Sequence, residues 1–268
     1  MNTKIGILGG GQLAMMLTEA SIKLGYRNIF VLDPTINCPA KCVGANQVVG
    51  SFKDENEIIN FAKRVDVLTF DIESVNLNAL YLAKKYCNVY PDPSVLDIIQ
   101  DKYCQKKYLK NLNIPIPELY DVDNYCFDNY CFEPKKFIVK TKKGGYDGKG
   151  VWVMKSSDEL SKFILDNNVN KNDIFIEDYI EIKKELAVIA YLYKNKVCFY
   201  PIVETIQENG ICKEVICPTP LNSYIRKQIK HLTKRILLDF NTKGVFAIEF
   251  LYNGDEIYVN EISPRVHN

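Results

Sequence analysis

The sequence predicts an α/β protein that begins with a parallel sheet covered by helices on both faces. Two observations lead to this prediction. Short apolar strands alternate with helical patterns through roughly the first ninety residues, and a glycine turn joins the first strand to the first helix. Such alternation favours parallel pairing, because each return to the sheet needs a helical crossover. With 268 residues and 47% hydrophobic content, the chain can bury several cores, and we expect two or three domains.

The elements of the first region follow from periodicity and from glycine and proline. Apolar residues between positions 13 and 24 recur at helical spacing, and Gly25 closes that helix. Pro91-Asp92-Pro93 stops the region. We predict strands at residues 5–8, 29–32, 67–70 and 89–90, and helices at 12–24, 55–64 and 77–85.

A glycine turn, Gly9-Gly10-Gly11, lies between the first strand and the first helix. Gly9-x-Gly11-x-x-Ala14, followed about twenty residues later by Asp33, matches the dinucleotide-binding fingerprint, so an NAD-dependent oxidoreductase is one interpretation. The physical basis is broader, because a glycine turn at a helix N-terminus offers backbone N–H groups to any phosphate. Asp33 followed by Pro34 also fits a turn that ends the strand. The turn predicts a phosphate site without deciding the ligand.

The rest of the chain predicts one long helix, an extended linker and then mainly strands. The helix spans 94–112, carries Lys102 exposed near its middle, and stops at Ile114-Pro115-Ile116-Pro117. Ser223 is expected to cap a helix that ends near 240, and Asn253-Gly254 predicts the turn of a closing hairpin. The other predicted elements are a helix at 158–165 and strands at 137–139, 151–154, 174–176, 185–193, 196–201, 245–252 and 256–261. We expect domains at 1–93, 94–177 and 178–268.

The most informative segment, residues 140–150, places four glycines and four lysines between two apolar runs. Strand, glycine-rich turn, strand is typical of a hairpin that folds over an anion. Glycine lets backbone N–H groups approach phosphate oxygens, and lysine supplies the compensating charge. A solvated hairpin tip is the simpler alternative, but a plain turn needs neither Tyr146 nor Asp147 between its glycines.

The closing hairpin carries a second polar group. Glu249 lies in an apolar run, where a carboxylate is costly unless it is paired or bound to a cation. Across a tight turn Glu249 does not face Glu261, but the two converge if the hairpin bends or its ladder shifts. Two carboxylates and the amide oxygen of Asn260 suit Mg²⁺. A salt bridge, for instance to Arg265, is the alternative.

Composition argues against several classes of protein. Net charge is +1 and no basic block stands out, which argues against nucleic-acid binding. No apolar run approaches the ~20 residues of a membrane span, and no signal segment precedes the first strand, so we expect a soluble, cytoplasmic protein. The nine cysteines form no Cys-x-x-Cys pair, and His231 and His267 are the only histidines. We therefore expect reduced thiols and no zinc site.

Taken together, the glycine hairpin, the preceding Lys140, the downstream Glu177 and the terminal carboxylates resemble the ATP-grasp superfamily. Three motifs resemble its N5-carboxyaminoimidazole ribonucleotide synthetase family: Gly9-Gly10-Gly11-Gln12-Leu13, residues 140–150 and residues 260–268. The resemblance implies a Rossmann-like N-terminal domain followed by an ATP-grasp fold, with a small lid domain and a larger α+β domain. The family continues beyond the motif in which this sequence stops, so the resemblance also implies that the last domain is incomplete here.

The resemblance implies a role for each matching residue. The lysines would contact ATP phosphates, the hairpin backbone would close over them, Glu177 and Ile180 would bound the adenine, and Glu185 would bind ribose. The implied ATP site comprises Lys102, Lys140, Gly145, Tyr146, Asp147, Gly148, Lys149, Gly150, Val151, Glu177, Ile180, Glu185, Gln207, Asn260 and Glu261. Glu249 and Glu261 would hold Mg²⁺. The implied ribonucleotide site comprises Gln12, Leu13, Glu73, Tyr146, Asp147, Lys149, Arg265 and His267. The implied catalytic residues are Asp147, Lys149 and Arg265.

The implied reaction is the ATP- and bicarbonate-dependent carboxylation of 5-aminoimidazole ribonucleotide at its exocyclic amine, through carboxyphosphate, in purine biosynthesis. The implied partners are these small molecules, and the implied assembly is a homodimer. Three alternatives stay open: a related ATP-grasp ligase acting on glycinamide ribonucleotide, a non-catalytic nucleotide-binding remnant, and the NAD-dependent oxidoreductase. Substrate preference separates the first, and ATP binding without substrate-dependent turnover separates the second. The third leaves the hairpin and the carboxylate pair unexplained.

Overall fold

The protein is described by a computed structural model over residues 1–122, 136–145, 149–208 and 210–267. Its first elements are β1 Lys4–Leu8, α1 Gln12–Lys23, β2 Asn28–Asp33, α2 Pro39–Cys42, β3 Asn46–Val49, α3 Glu55–Ala62, β4 Val67–Phe70, α4 Leu77–Ala83 and β5 Asn88–Val89. The strands form one parallel sheet in the order β3-β2-β1-β4-β5. Ile7 packs with α1 and α2 on one face, and Leu8 packs with α3 and α4 on the other. The predicted parallel sheet covered on both faces is therefore confirmed.

A second, smaller sheet follows two helices. The elements are α5 Pro93–Ile99, α6 Lys102–Asn111, β6 Leu119–Tyr120, β7 Phe137–Thr141, β8 Val151–Met154, α7 Ser157–Asp166 and β9 Ile174–Asp178. The sheet is antiparallel in the order β6-β9-β7-β8. Helix α7 covers one face, where Phe163 lies against Trp152 with ring centroids 4.6 Å apart. The opposite face carries Lys140 and Glu177 and turns towards α6.

The third sheet is the largest. Its elements are β10 Lys184–Tyr193, β11 Lys196–Glu208, β12 Ile211–Ile216, α8 Ser223–Phe240, β13 Gly244–Tyr252 and β14 Ile257–Ser263. The strands are antiparallel in the order β12-β11-β10-β13-β14. Helix α8 packs on one face of the sheet through Ile229 and Ile236, and residues from α5 and α6 join the same core. The opposite face of the sheet turns away from α8 and carries the polar side chains described below.

The prediction of one helix across 94–112 is wrong. Asp101 interrupts it, because its side chain accepts a hydrogen bond from Cys104 N at 3.0 Å and caps a new helix, α6. Lys102 is consequently the first residue of α6, not a mid-helix residue. The prediction that it is exposed is also wrong, since its side chain is 19% exposed and paired with Glu261.

Other differences concern short elements and one helix cap. Asn222, not Ser223, caps α8 by accepting a hydrogen bond from Ile225 N at 2.8 Å. The elements that the sequence analysis did not predict are α2, β3, β6, β12 and a 3-10 helix at Lys171–Asp173. They contain two to six residues, too few for a periodic pattern to emerge.

Helix α8 is the longest helix in the described part of the chain, with 18 residues, and its exposed side carries charged side chains such as Lys227 and Lys234. None of the helices in the described ranges is both long enough and apolar enough to cross a bilayer.

Candidate functional site

The candidate site lies on the face of the large sheet that turns away from α8. Leu186 of β10 points into the core beneath α8, so its neighbour Glu185 points to the opposite face. Gln207 of β11 lies on that face and hydrogen-bonds the Glu185 carboxylate. Glu249 of β13 shares the face, because it pairs with Ala187. Burial and the nearby Glu249 carboxylate raise the pKa of Glu185.

A β-bulge in the closing hairpin brings two carboxylates onto this face. Glu249 lies directly opposite Glu261, whereas Phe250 pairs with Val259, so Asn260 is the extra residue of β14. A bulge inserts one residue into a ladder and redirects the side chains around it. The sequence predicts convergence of the two glutamates only if the hairpin bends or its ladder shifts, and the structure shows the shift.

Two lysines from other elements face these groups. Lys102 Nζ, at the start of α6, lies 2.9 Å from Glu261 Oε2. Lys140 Nζ, near the end of β7, donates to Asn260 Oδ1 at 3.1 Å, and Asn260 Nδ2 donates to Glu249 Oε2 at 3.2 Å. The arrangement offers ammonium groups to a polyphosphate and carboxylates to the cation that would accompany it.

A third lysine, Lys106, lies beneath this network. Its Nζ is 2.9 Å from Glu177 Oε1, and Lys140 Nζ is 2.7 Å from Glu177 Oε2. Glu177 is 1% exposed and Lys106 is 2% exposed, so these ion pairs are interior. Burial acts to raise the pKa of Glu177, but the two ammonium groups outweigh it and lower the pKa to about 2. Burial also lowers the pKa of Lys106 to about 8, although Glu177 opposes that shift.

This geometry narrows the role expected for Glu177. Both of its carboxylate oxygens lie against lysines, so the side chain is committed to ion pairs and not to an adenine base. Ile180, which the resemblance places with it at the adenine, is half-buried just after β9. The backbone N–H and C=O groups of residues 177–180 are therefore the groups of this segment that are available to hydrogen-bond the edge of a base.

Arg265 and His267 connect the bulged hairpin to its surroundings. Arg265 Nε lies 3.1 Å from Glu73 Oε1, in the loop after β4, and His267 Nε2 lies 3.1 Å from Glu249 Oε1. Burial raises the pKa of Glu73, with Arg265 opposing the rise. Burial would also raise the pKa of Glu249, but its hydrogen-bonded neighbours, His267 foremost, lower it. Residues expected to bind ATP and residues expected to bind ribonucleotide therefore lie side by side.

Two carboxylates fill the glycine turn after β1. Asp33 Oδ2 accepts from Gly10 N at 2.8 Å, and Asp71 Oδ2 accepts from Gly11 N at 3.0 Å and from Ala14 N at 3.2 Å. Asp33 Oδ1 also accepts from Thr35 N at 2.7 Å. Asp33 thus ends its strand in a turn, as the alternative interpretation held.

The same contacts count against a dinucleotide site. In that fingerprint the acidic residue after the second strand binds a ribose, whereas Asp33 is 9% exposed and is bonded within the turn. A Cβ on Gly9 would lie 1.7 Å from Asp71 Oδ1, so this glycine serves close packing against Asp71. The N–H groups of Gln12 and Leu13 have no hydrogen-bond acceptor within the described ranges, so they remain available at the helix N-terminus.

The glycine-rich segment lies between β7 and β8, and its two described ends meet. Thr141 N donates to Gly150 O at 2.9 Å, and Gly145 and Gly150 have φ of 75° and 77°. A Cβ on Gly150 would lie 2.5 Å from Thr141 Oγ1, so no other residue fits there without displacement. Lys149 and Val151 are exposed at the base of this hairpin. Three predicted site residues lie outside the described part of the chain: Tyr146, Asp147 and Gly148.

Sequence reasoning missed three residues of this region. Lys106 follows Lys102 by four positions and shares its helix face, a spacing that could have identified it. Asp71 precedes Glu73 by two positions after a parallel strand, where ligand-binding side chains commonly lie. Gln105 carries no sequence signal, because a glutamine in a polar helix normally faces solvent.

The oxygen atoms of the closing hairpin fit a magnesium ion. Glu249, Asn260 and Glu261 supply two carboxylates and an amide oxygen, the hard donors that Mg²⁺ prefers. Across the described ranges, no group of three or more His, Cys, Asp or Glu side chains is placed to hold a metal ion. A magnesium ion here would therefore complete its shell with phosphate oxygens and water, which is its usual behaviour at nucleotide sites.

Comparison with known proteins agrees with this arrangement. The ribonucleotide synthetase preATP-grasp domain matches residues 1–100, and the ATP-grasp domain matches residues 107–268. The chain is 36% identical to a chloroplastic phosphoribosylaminoimidazole carboxylase of Vigna aconitifolia, over 98% of this chain and 48% of the relative. It is 30% identical to N5-carboxyaminoimidazole ribonucleotide synthase of Staphylococcus aureus strain COL, over 98% of this chain and 70% of the relative.

A solved structure gives the same result for the fold. The crystal structure of N5-carboxyaminoimidazole synthase from Aspergillus clavatus, in complex with ADP and 5-aminoimidazole ribonucleotide, superposes with a TM-score of 0.88 at 31% identity. The match covers 99% of this chain and 70% of that one. The chain spans about half the length of the first curated relatives it matches. The resemblance found in the sequence is confirmed, and the chain belongs to the N5-carboxyaminoimidazole ribonucleotide synthase family of ATP-grasp proteins.

Proposed function

We propose that this chain carboxylates the exocyclic amine of 5-aminoimidazole ribonucleotide, using ATP and bicarbonate, in purine biosynthesis. The contact between Arg265 and Glu73 at 3.1 Å carries the proposal, because it joins the glycine-turn region to the strand that bears Glu261. A nucleotide held by Lys102 and Lys140 would therefore lie next to a ribonucleotide held at the glycine turn. The complex of the A. clavatus relative with ADP and 5-aminoimidazole ribonucleotide supports the same pair of ligands.

On the ATP side, Lys102 and Lys140 would hold phosphate oxygens, and the hairpin backbone at 145–151 would close over them. Glu185 and Gln207, which are hydrogen-bonded together, would hold the ribose hydroxyls. The backbone at 177–180 would meet the adenine. Mg²⁺ bound by Glu249, Glu261 and Asn260 would neutralise charge on the phosphates.

On the substrate side, the free N–H groups of Gln12 and Leu13 would hold the phosphate of the ribonucleotide. Glu73 would accept hydrogen bonds from its ribose hydroxyls. Arg265, His267 and Lys149 would surround the imidazole and the carboxyl group in transfer. Tyr146 and Asp147 have proposed places there as well, on the part of the hairpin outside the described residues.

The proposed chemistry begins with activation of bicarbonate, which is a poor electrophile. A bicarbonate oxygen attacks the γ-phosphorus of ATP, the bond to the β-phosphate breaks, and ADP leaves carboxyphosphate behind. The amine nitrogen then bonds to the carboxyl carbon, either directly or after release of CO₂, and phosphate departs with the electrons of the C–O bond. Asp147 would accept the amine proton. A closed hairpin would exclude the water that destroys carboxyphosphate.

We further propose a cytoplasmic location and a homodimer. The seven cysteines in the described part of the chain are free thiols, which suits a reducing compartment. Sedimentation of the purified chain tests the dimer directly, and a monomer at micromolar concentration would contradict it.

ADP release from Mg-ATP and bicarbonate tests the function, with no ribonucleotide, with 5-aminoimidazole ribonucleotide and with glycinamide ribonucleotide in parallel. We expect strong stimulation by 5-aminoimidazole ribonucleotide alone. Stimulation by glycinamide ribonucleotide would instead favour the related ligase. ATP binding without stimulation by either ribonucleotide would favour a non-catalytic nucleotide-binding protein. NAD binding without ATP binding would favour the NAD-dependent oxidoreductase.

A further inference from the structure

The strand that carries Asn260 and Glu261 lies at the edge of the large sheet, so the outer side of its backbone needs other partners. Two neighbouring side chains of α6 serve as such partners. Gln105 Nε2 donates to Ile262 O at 3.1 Å, and Gln105 Oε1 accepts from Ile262 N at 2.9 Å. Lys106 Nζ donates to Val259 O at 3.1 Å. We call Gln105 and Lys106 the α6 clamp.

The α6 clamp holds Val259 and Ile262, the residues on either side of the pair Asn260-Glu261. Val259 and Ile262 are 0% exposed and belong to the core beneath α8. Asn260 and Glu261 lie between them, and both point towards the site, where they meet Lys140 and Lys102. Successive side chains of a regular strand alternate between faces, so two neighbours share a face only where the ladder is bulged. The bulge is therefore what presents both polar groups together.

Side chains from outside the sheet support this bulge. The ladder to β13 is irregular at this point, since the pairing shifts between Glu249 and Phe250. A slip of one residue would exchange buried and site-facing side chains along the strand. Gln105 resists that slip, because its amide pairs with both backbone groups of Ile262 as a neighbouring strand would. Gln105 is 1% exposed, an unusual position for this residue type.

We infer that Gln105 is a positioning residue for the nucleotide–metal site: it fixes the bulge, and the bulge aims Asn260 and Glu261. Gln105 acts through the backbone of Ile262 and has no proposed contact with a ligand. The inference rests on the proposed function, because it takes Glu249 and Glu261 as the residues that share a divalent cation with ATP. Lys106 supports the same strand but also pairs with Glu177, so a substitution there would disturb two sets of contacts. Gln105 is therefore the residue to test.

The test variant is Gln105→Met, which keeps the length of the side chain and removes both hydrogen bonds. Binding of Mn²⁺, as a paramagnetic substitute for Mg²⁺, is titrated by electron paramagnetic resonance on the full chain with saturating ADP. Binding of ADP without metal is measured by calorimetry in a chelator. We expect the Mn²⁺ dissociation constant to rise at least about tenfold, the usual scale for loss of an outer-shell partner, while metal-free ADP affinity changes less than about twofold.

Ile236→Val provides the matched control, because Ile236 is fully buried in the core behind the same sheet and its apolar side chain makes no hydrogen bond to the backbone of β14. It should leave both affinities within about twofold of wild type. If Gln105→Met does not fold, Gln105→Glu takes its place, since its carboxylate still accepts from Ile262 N but cannot donate to Ile262 O. Hydrogen exchange at the Ile262 amide should accelerate in Gln105→Met, which removes its acceptor, and not in Ile236→Val.

The outcomes separate the inference from the function on which it rests. Wild-type Mn²⁺ affinity in a folded Gln105 variant overturns the positioning role and leaves the proposed function standing. Equal weakening in the Gln105 variant and in Ile236→Val also overturns it, because the effect would then follow general stability. Wild-type protein that binds Mn²⁺ no better with ADP than without overturns the proposed metal site and the inference together.

Discussion

At the scale of single residues, opposite charges buried against each other organise the site. Glu177 divides its two oxygens between Lys106 and Lys140, and Lys140 also reaches Asn260. Removal of one partner from such a group leaves a buried charge without full compensation, which costs more than the intact pair contributes. If Lys140 moved away, the buried Glu177 carboxylate would lose part of its compensating charge. This penalty keeps Lys140 in its position beside Asn260.

Lys106→Met should lower the free energy of unfolding by about 3–5 kcal/mol, because Glu177 loses one of its two cationic partners in the interior. Lys110→Met is the matched control. Lys110 lies one helical turn further along and pairs with Glu118, but these side chains are 52% and 49% exposed. We expect it to cost less than about 1 kcal/mol. Urea unfolding measures both, and equal losses would contradict the buried-pair account.

The depressed pKa of Glu177 predicts a loss of stability in acid. Its pKa is about 2 in the folded protein and 4.5 as the ordinary value, so the contribution is complete above about pH 5 and declines as pH falls towards 2. Urea unfolding of wild type and Glu177→Gln between pH 6 and pH 3 separates the contribution of Glu177 to the free energy of unfolding from that of the other carboxylates. The acid slope should be steeper in wild type. Identical slopes would mean that Glu177 is not held ionised by its lysines.

At the scale of elements, the bulge in β14 and the tight glycine hairpin between β7 and β8 are the two irregular features of the site. The sequence predicts the closing hairpin from Asn253-Gly254, and the structure agrees closely with the predicted strands. The bulge at Asn260 was not predicted, because it depends on how β13 and α6 hold β14 and not on local propensity. In retrospect, Val259-Asn260-Glu261-Ile262 breaks the apolar–polar alternation of a strand. Two polar residues between two apolar ones are the sequence signal of this bulge.

The glycine hairpin allows a matched pair of substitutions. Gly144 and Gly150 both have positive φ, but only at Gly150 would a Cβ meet another atom closely, at 2.5 Å from Thr141 Oγ1. We expect Gly150→Ala to weaken ATP binding at least about fivefold, because the hairpin base must open, whereas Gly144→Ala carries only the backbone strain of about 1–2 kcal/mol. Calorimetric titration with ATP compares them. Equal affinities in the two variants would contradict a role for the tight hairpin base.

At the scale of the whole molecule, the parallel sheet was predicted and the contacts between sheets were not. Alternating strands and helices in the first ninety or so residues suffice for the sheet and its helical layers. The residues that meet across sheets, such as Lys102 with Glu261, are 159 positions apart. No local pattern carries that information. The pattern of the closing hairpin pointed to Glu261, and resemblance to a family gave Lys102 its role, whereas Gln105, Lys106 and Asp71 emerged only from packing.

Arg265 should matter for the ribonucleotide and not for ATP, because its partner Glu73 belongs to the N-terminal region. We expect Arg265→Met to raise the half-saturating concentration of 5-aminoimidazole ribonucleotide at least about tenfold, or ~1.4 kcal/mol, with ADP affinity unchanged. Arg235→Met, in α8 on the far side of the sheet, is the control. Steady-state kinetics and ADP titration measure the two effects. A parallel loss of ADP affinity would place Arg265 in the nucleotide site instead.

The central claim, that this chain activates bicarbonate by phosphorylation for transfer to 5-aminoimidazole ribonucleotide, is tested most directly with ¹⁸O-labelled bicarbonate. The attacking bicarbonate oxygen becomes the bridge of carboxyphosphate and leaves with phosphorus, so each turnover should place one ¹⁸O atom in inorganic phosphate. Mass spectrometry of phosphate from reactions with and without the ribonucleotide gives the answer. Ribonucleotide-dependent labelling is the predicted result. Unlabelled phosphate, or ATP hydrolysis that ignores the ribonucleotide, would contradict the account.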